Sequence, residues 1–86
     1  MNETTNGKTM LTDDCAAYWD YRANTVEVYV EISGILGARI GTGTIDGLRI
    51  VDRKGKRVTA RDWSRIENDI YARIRENAAN GWSEYA

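Results

Sequence analysis

Seven of the chain's twelve basic side chains fall between Arg49 and Arg65 (Arg49, Arg53, Lys54, Lys56, Arg57, Arg61 and Arg65), with only Asp52 and Asp62 among them. So dense a row of cations can neutralise nucleic-acid phosphates or orient the chain against a charged protein surface. A second set, Glu27, Tyr29 and Glu31, alternates with apolar residues and so sets carboxylates beside an aromatic ring on one face, a combination suited to gripping arginine-rich surfaces. Both sets describe binding, and neither specifies a reaction.

Chemistry of other kinds finds few residues to work with. The chain has no histidine, which removes the commonest general base, the histidine-assisted nucleophile and the commonest zinc ligand. Its single cysteine, Cys15, therefore has no histidine to activate it and reads as a packing residue. Glu27 and Glu31 stand roughly 13 Å apart along a strand at 3.3 Å per residue, beyond the roughly 5 to 9.5 Å of paired glycosidase carboxylates. Asp13 and Asp14 lie near the N-terminal tail, and Asp46 and Asp52 lie in turns. Gly37-x-x-x-Gly41-x-Gly43 lacks the lysine of a phosphate-cradling loop and no helix opens after it, so a turn or bulge is the expected role. No catalytic, cofactor or metal residue is assigned, and a protein that is not an enzyme is expected.

The elements that position these side chains follow from length and pattern. A chain of 86 residues suits one small domain. Its net charge is only -1, so the basic run must be balanced by acids elsewhere, chiefly in the N-terminal third, which gives a dipolar surface. Residues 1–9 are polar and aperiodic and carry Asn6-Gly7, so a flexible tail is expected there, followed by a single domain over residues 10–86. Tyr18, Trp19 and Tyr21 favour a strand from Ala16 to Arg22, with Ala23-Asn24 as a turn. From Thr25 to Ser33 the residues Val26, Val28, Val30 and Ile32 alternate strictly with Glu27, Tyr29 and Glu31, the pattern of a half-buried strand.

A glycine-rich strand is expected over Ala38 to Ile45, then an Asp46-Gly47 turn, a return strand over Leu48 to Val51, a polar turn over Asp52 to Lys56 and a brief strand at Arg57 and Val58. Thr59 and Asp62 have the spacing of a capping box. Beyond them Trp63, Ile66, Ile70, Ile74 and Ala78 mark one helical face, and Asn80-Gly81 supplies the stop. Asp69 is spaced to pair with both Arg65 and Arg73. Trp82 and Tyr85 are expected to fold back or to meet a partner. The predicted fold is α+β: a small antiparallel sheet of three to four strands packed against one C-terminal amphipathic helix.

Val26-Glu-Val-Tyr-Val-Glu-Ile, then Ile45-Asp-Gly-Leu-Arg-Ile-Val-Asp, then Trp63-Ser-Arg-Ile-Glu-Asn-Asp-Ile give a strand, glycine turn, strand and helix layout. Over residues 25–75 that layout resembles small accessory proteins encoded by bacteriophages and mobile elements. The resemblance implies a host-interaction factor, including the kind that inhibits defence systems such as CRISPR effector complexes by occupying a nucleic-acid-binding surface. It carries no mapped site residue.

The expected function is thus macromolecular binding without a cofactor. A protein partner, a host nucleic-acid-handling or defence complex, would be met by Glu27, Tyr29 and Glu31 or by the basic hairpin. Direct nucleic-acid binding through Arg53, Lys54, Lys56, Arg57, Arg61 and Arg65 stays open as the alternative, and so does a homodimer. No apolar stretch reaches the roughly 20 residues that cross a bilayer. The first residues lack the pattern of a secretory signal, so a cytoplasmic location is expected.

Overall fold

The strict alternation of Val26, Val28 and Val30 with polar residues produces strand β3 (Thr25–Ile32), the middle strand of the sheet. A computed structural model of the chain describes residues 4–22, 24–44, 49–51, 53–54 and 58–79. Within them the architecture is α+β, an antiparallel meander of five strands with one C-terminal helix. Strand β2 (Cys15–Arg22) flanks β3 on one side and sets Ala17 opposite Val30, Trp19 opposite Val28 and Tyr21 opposite Val26. Strand β4 (Ile35–Thr44) flanks it on the other, and β1 (Thr4–Met10) and β5 (Arg49–Val51) form the edges.

Five strands replace the three to four expected, because β1 occupies most of the segment read as a tail. Its stability comes from contacts that a local pattern cannot show. Gly7 lies opposite Trp19, whose indole covers it so closely that a Cβ there would sit 2.5 Å from the ring. Buried Thr9 accepts a 3.2 Å hydrogen bond from Trp19 Nε1 and donates a 2.6 Å bond to Asp69. The chain Trp19, Thr9, Asp69 ties β2, β1 and the helix together, with the buried hydroxyl satisfied on both sides.

The hairpin between β3 and β4 turns on Ser33 and Gly34, both at positive φ (52° and 80°), as a two-residue turn requires. Ser33 N donates to Asp14 O at 2.7 Å, pinning the turn to the β1-β2 loop. The glycine-rich stretch is a bulged strand, as its composition suggested: the register between β3 and β4 shifts at Val28/Tyr29 and again at Tyr29/Glu31. One consequence is that Ile40 and Gly41 are buried side by side. Gly41 serves a close approach, because a Cβ there would lie 2.8 Å from Ile50 and 2.9 Å from the Trp63 ring.

Helix α1 (Ala60–Ala79) starts as its capping box dictates: Asp62 N donates to Thr59 Oγ1 at 3.1 Å and Thr59 N to Asp62 Oδ2 at 3.2 Å. Trp63, Ile66 and Ile70 are buried against Trp19, Tyr21, Val26, Val28, Ile40 and Ile50, with Val30, Val58 and Ile74 packed at the margin. Val58, expected to form a brief strand with Arg57, lies outside any strand and packs partly buried against the core, while Arg57 falls outside the described residues. The core face of β3 fades toward the hairpin tip, where Ile32 is exposed beyond the reach of the helix. Ala23, Ile45 to Leu48, Asp52, Gly55 to Arg57 and the helix stop with Trp82 and Tyr85 lie outside the described residues.

The helix touches both edge strands, β1 and β5, so the sheet curls around it. Its flanks also close those edges. Arg65 donates to Met10 O at 2.7 Å and Arg73 to Asn6 O at 3.0 Å on β1, while Glu67 accepts from Ile50 N at 2.9 Å and Arg53 Nε donates to Ile50 O at 3.0 Å on β5. Two carbonyls of the β1 edge and both backbone groups of Ile50 on β5 are thereby kept from templating another strand. Asp69, expected to pair with Arg65 and Arg73, instead accepts from Thr9, and both arginines are drawn to β1.

The seat of Trp63 gives a direct test. Gly41→Val should lower stability by about 1–3 kcal/mol through overpacking, read as a lower urea midpoint at unchanged slope. An unshifted midpoint would show that Trp63 does not depend on the missing side chain.

Candidate docking face

On the side of the sheet away from α1, the register arranges side chains in rows. Met10, Ala16, Glu31 and Leu36 form one, Lys8, Tyr18, Tyr29 and Arg39 the next, and Asn6, Asp20, Glu27, Thr42 and Val51 a third. Alternation along β3 puts Glu27, Tyr29 and Glu31 on this face together. The Tyr18 and Tyr29 rings meet at its centre, 6.4 Å between centroids and tilted by 47°. Met10 and Leu36 stand exposed at the hairpin end, and Ile35 at the tip is the most open large apolar side chain of the described residues at 73%.

Two ion pairs and a phenol bond lie within the face. Lys8 Nζ lies 2.9 Å from Glu31, Arg39 lies 3.1 Å from Glu27, and Tyr29 Oη donates to Glu27 at 3.0 Å. That last bond, with burial and the Glu27 and Asp20 charges adding, raises the Tyr29 phenol above its ordinary value of 10.0 while Arg39 opposes. Asp20 sits directly opposite Glu27, a like-charge cross-strand pair. Burial first and Glu27 second raise its carboxyl above 3.8, and Arg22 opposes them.

The basic run is dispersed. Arg49 is exposed on β5 at the edge of the outer face. Arg53 lies on the helix side, 2.8 Å from Glu67 and 5.4 Å above the Trp63 ring. Arg65 turns toward β1 and lies 3.5 Å from Asp62. Lys54 N donates to Ile40 O at 2.8 Å, which carries the chain along the β4 edge. Arg61 is exposed on the first turn of α1, and Lys56 and Arg57 fall outside the described residues. Arg53 and Arg65 therefore sit on opposite flanks of the helix and share no surface. Tyr18, expected from the neighbouring strand, does lie beside Tyr29; Lys8, Arg39, Met10 and Leu36 were not legible as neighbours of Tyr29 or Glu31, because only the strand register, fixed by the hairpins, brings them there.

Among the described residues no cluster of three or more His, Cys, Asp or Glu is placed to hold a metal ion, and no helix is long and apolar enough to cross a membrane. The chain matches no family model, no curated protein and no solved structure.

The Asp20 carboxyl yields a prediction with a definite sign. Because its folded value is raised, the native state holds a proton that the unfolded chain has released, so stability falls as pH rises from 3.8 through the raised value. Asp20→Asn should unfold at a higher temperature than the parent at pH 7, and the two melting curves should converge as the pH falls below that window. A parent that melts higher than the variant at pH 7 would refute the assignment.

Proposed function

We propose that this is a non-enzymatic binding protein whose outer sheet face docks on a protein partner. The arrangement that carries this reading is the Tyr18 and Tyr29 pair with Met10 and Leu36 exposed beside it, ringed by Lys8, Glu31, Glu27 and Arg39. Interfaces of high affinity concentrate their energy in such aromatic centres and keep a polar rim around them. Lys8 is already paired with Glu31 and Arg39 with Glu27, so covering the face leaves none of these four as a lone ion to desolvate. Taken with the resemblance to phage and mobile-element accessory proteins, the partner is a host nucleic-acid-handling or defence complex, and the role is inhibition by occupancy in the cytoplasm.

Phosphate binding by the basic hairpin draws less support. Arg53 and Arg65 spend their donors on Glu67, Ile50 O, Asp62 and Met10 O, and a phosphate would have to displace those bonds.

Quantitative affinity capture from a bacterial lysate tests the docking face. A protein enriched by the parent should be recovered at least about tenfold less by a Tyr18→Ala, Tyr29→Ala double variant, the scale expected when hot-spot aromatics are truncated. Equal recovery by parent and double variant, with circular dichroism showing both folded, would reject this face as the docking site.

A further inference from the structure

The solvent side of α1 carries a composition that neither the basic run nor the docking face accounts for. Arg61, Ser64, Arg65, Asn68, Tyr71 and Arg75 recur at three- and four-residue steps, and all are exposed. Such steps put them on one ridge, opposite the stripe of Trp63, Ile66 and Ile70. That ridge contains no acid. The acids of the helix sit on its flanks, each engaged inside the chain: Asp62 with Thr59 and Arg65, Glu67 with Ile50 N and Arg53, Asp69 with Thr9, Glu76 with Arg73. A chain of net charge -1 thus presents a cationic line without an acid in it.

We propose that the solvent ridge of α1 binds duplex DNA, with Arg61 and Arg75 on phosphates and Asn68 at the base edges between them. Arg61 and Arg75 are about 21 Å apart along the helix at 1.5 Å per residue, long enough to reach phosphates on either side of a groove that Asn68 enters. B-form DNA opens a major groove of about 12 Å that admits an α-helix, whereas the A-form groove of duplex RNA is too narrow. Ser64 and Asn68 are uncharged donors and acceptors of the kinds that contact phosphate oxygens and adenine edges. The Arg75 guanidinium lies over the Tyr71 ring, 5.8 Å from its centroid, a cation–π contact one helical turn back along the ridge. Of the three ridge arginines, Arg65 is the one already committed to the sheet, by its bond to Met10 O, so two phosphate contacts carry the affinity. The outer sheet face lies on the opposite side of the molecule and takes no part.

Fluorescence anisotropy with a labelled 20-base-pair DNA duplex is the test, read at 50 and 200 mM salt. Neutralising two phosphates predicts that affinity weakens about twelvefold across that range. Arg61→Glu, Arg75→Glu should lose at least tenfold in affinity at 50 mM. Thr25→Glu adds an exposed charge on the far face and should leave affinity within about twofold. Tyr18→Ala, Tyr29→Ala should bind DNA as the parent does, which separates this surface from the docking face. Thermal melts of all variants confirm folding, since every substituted ridge position is exposed. No binding of the duplex at 50 mM would overturn the proposal. So would tighter binding of a 20-nucleotide single-stranded RNA, or equal loss in Thr25→Glu and the ridge variant.

Discussion

Everything in this fold turns on one helix that must satisfy both edges of the sheet it packs on. A sheet of five strands exposes two rows of unpaired backbone groups, and a single amphipathic helix covers only a stripe of its face. The chain meets both demands by curling, so that Ile66 and Ile70 fill the centre while Arg65 and Arg73 reach the carbonyls of β1 and Glu67 reaches the Ile50 amide of β5. The Glu67 carboxylate also holds Arg53, whose Nε returns to Ile50 O. One carboxylate therefore organises both backbone groups of the central residue of a three-residue strand. Without that clamp β5 would have little to hold it, as short strands seldom persist on pairing alone.

This division of labour explains what each charged residue is free to do. A helix has only so many directions, and a side chain pointing sideways into the sheet is spent on structure. Arg65, Arg73, Glu67 and Asp69 all point that way, and Glu67 holds Arg53 from the segment after β5, which is why the dense basic run does not become a single cationic patch. Arg61, Asn68 and Arg75 point outward and remain available to a ligand. On the far side of the sheet, pleating rather than helical pitch sorts the residues, and Tyr18 and Tyr29 meet because two hairpins fix the register that aligns them.

Local physics made the fold class readable from the sequence. The β3 alternation, the Thr59 and Asp62 capping box and the Trp63, Ile66, Ile70 stripe each depend on residues a few positions apart, and each appears in the structure. What was not readable depends on distant partners. β1 looks like a tail because Asn6 and Gly7 are poor strand formers; Gly7 belongs there only because Trp19 needs the space above it. Asp69 looked like the partner of Arg65 and Arg73 by helical spacing, yet Thr9 lies closer to its carboxylate and the two arginines have carbonyls to satisfy. The Glu27, Tyr29 and Glu31 row was legible as a face, but its cations, Lys8 and Arg39, come from strands on either side. A one-dimensional pattern shows which face a residue takes and leaves unspecified which neighbours share it.

The two outward surfaces are separated by the core, and that separation has a thermodynamic meaning. Substitutions more than about 7–10 Å apart without shared partners add with little coupling. The Tyr18 and Tyr29 pair and the Arg61 to Arg75 ridge share no hydrogen bond or ion pair among the described residues, since the α1 flanks tie the helix to β1 and β5 backbone and not to the outer face. Ligands at the two surfaces would therefore bind with nearly independent free energies unless they touched each other. Among the described residues, a bridge through the sheet edge is Lys8, whose backbone lies in β1 between the Asn6 and Met10 carbonyls held by the helix, while its side chain reaches Glu31 on the outer face. Cooperativity carried by that bridge would have to pass through that short stretch of β1. With Thr9 bonded to Trp19 and Asp69 beside it, the stretch is fixed on both sides and has little room to transmit a change.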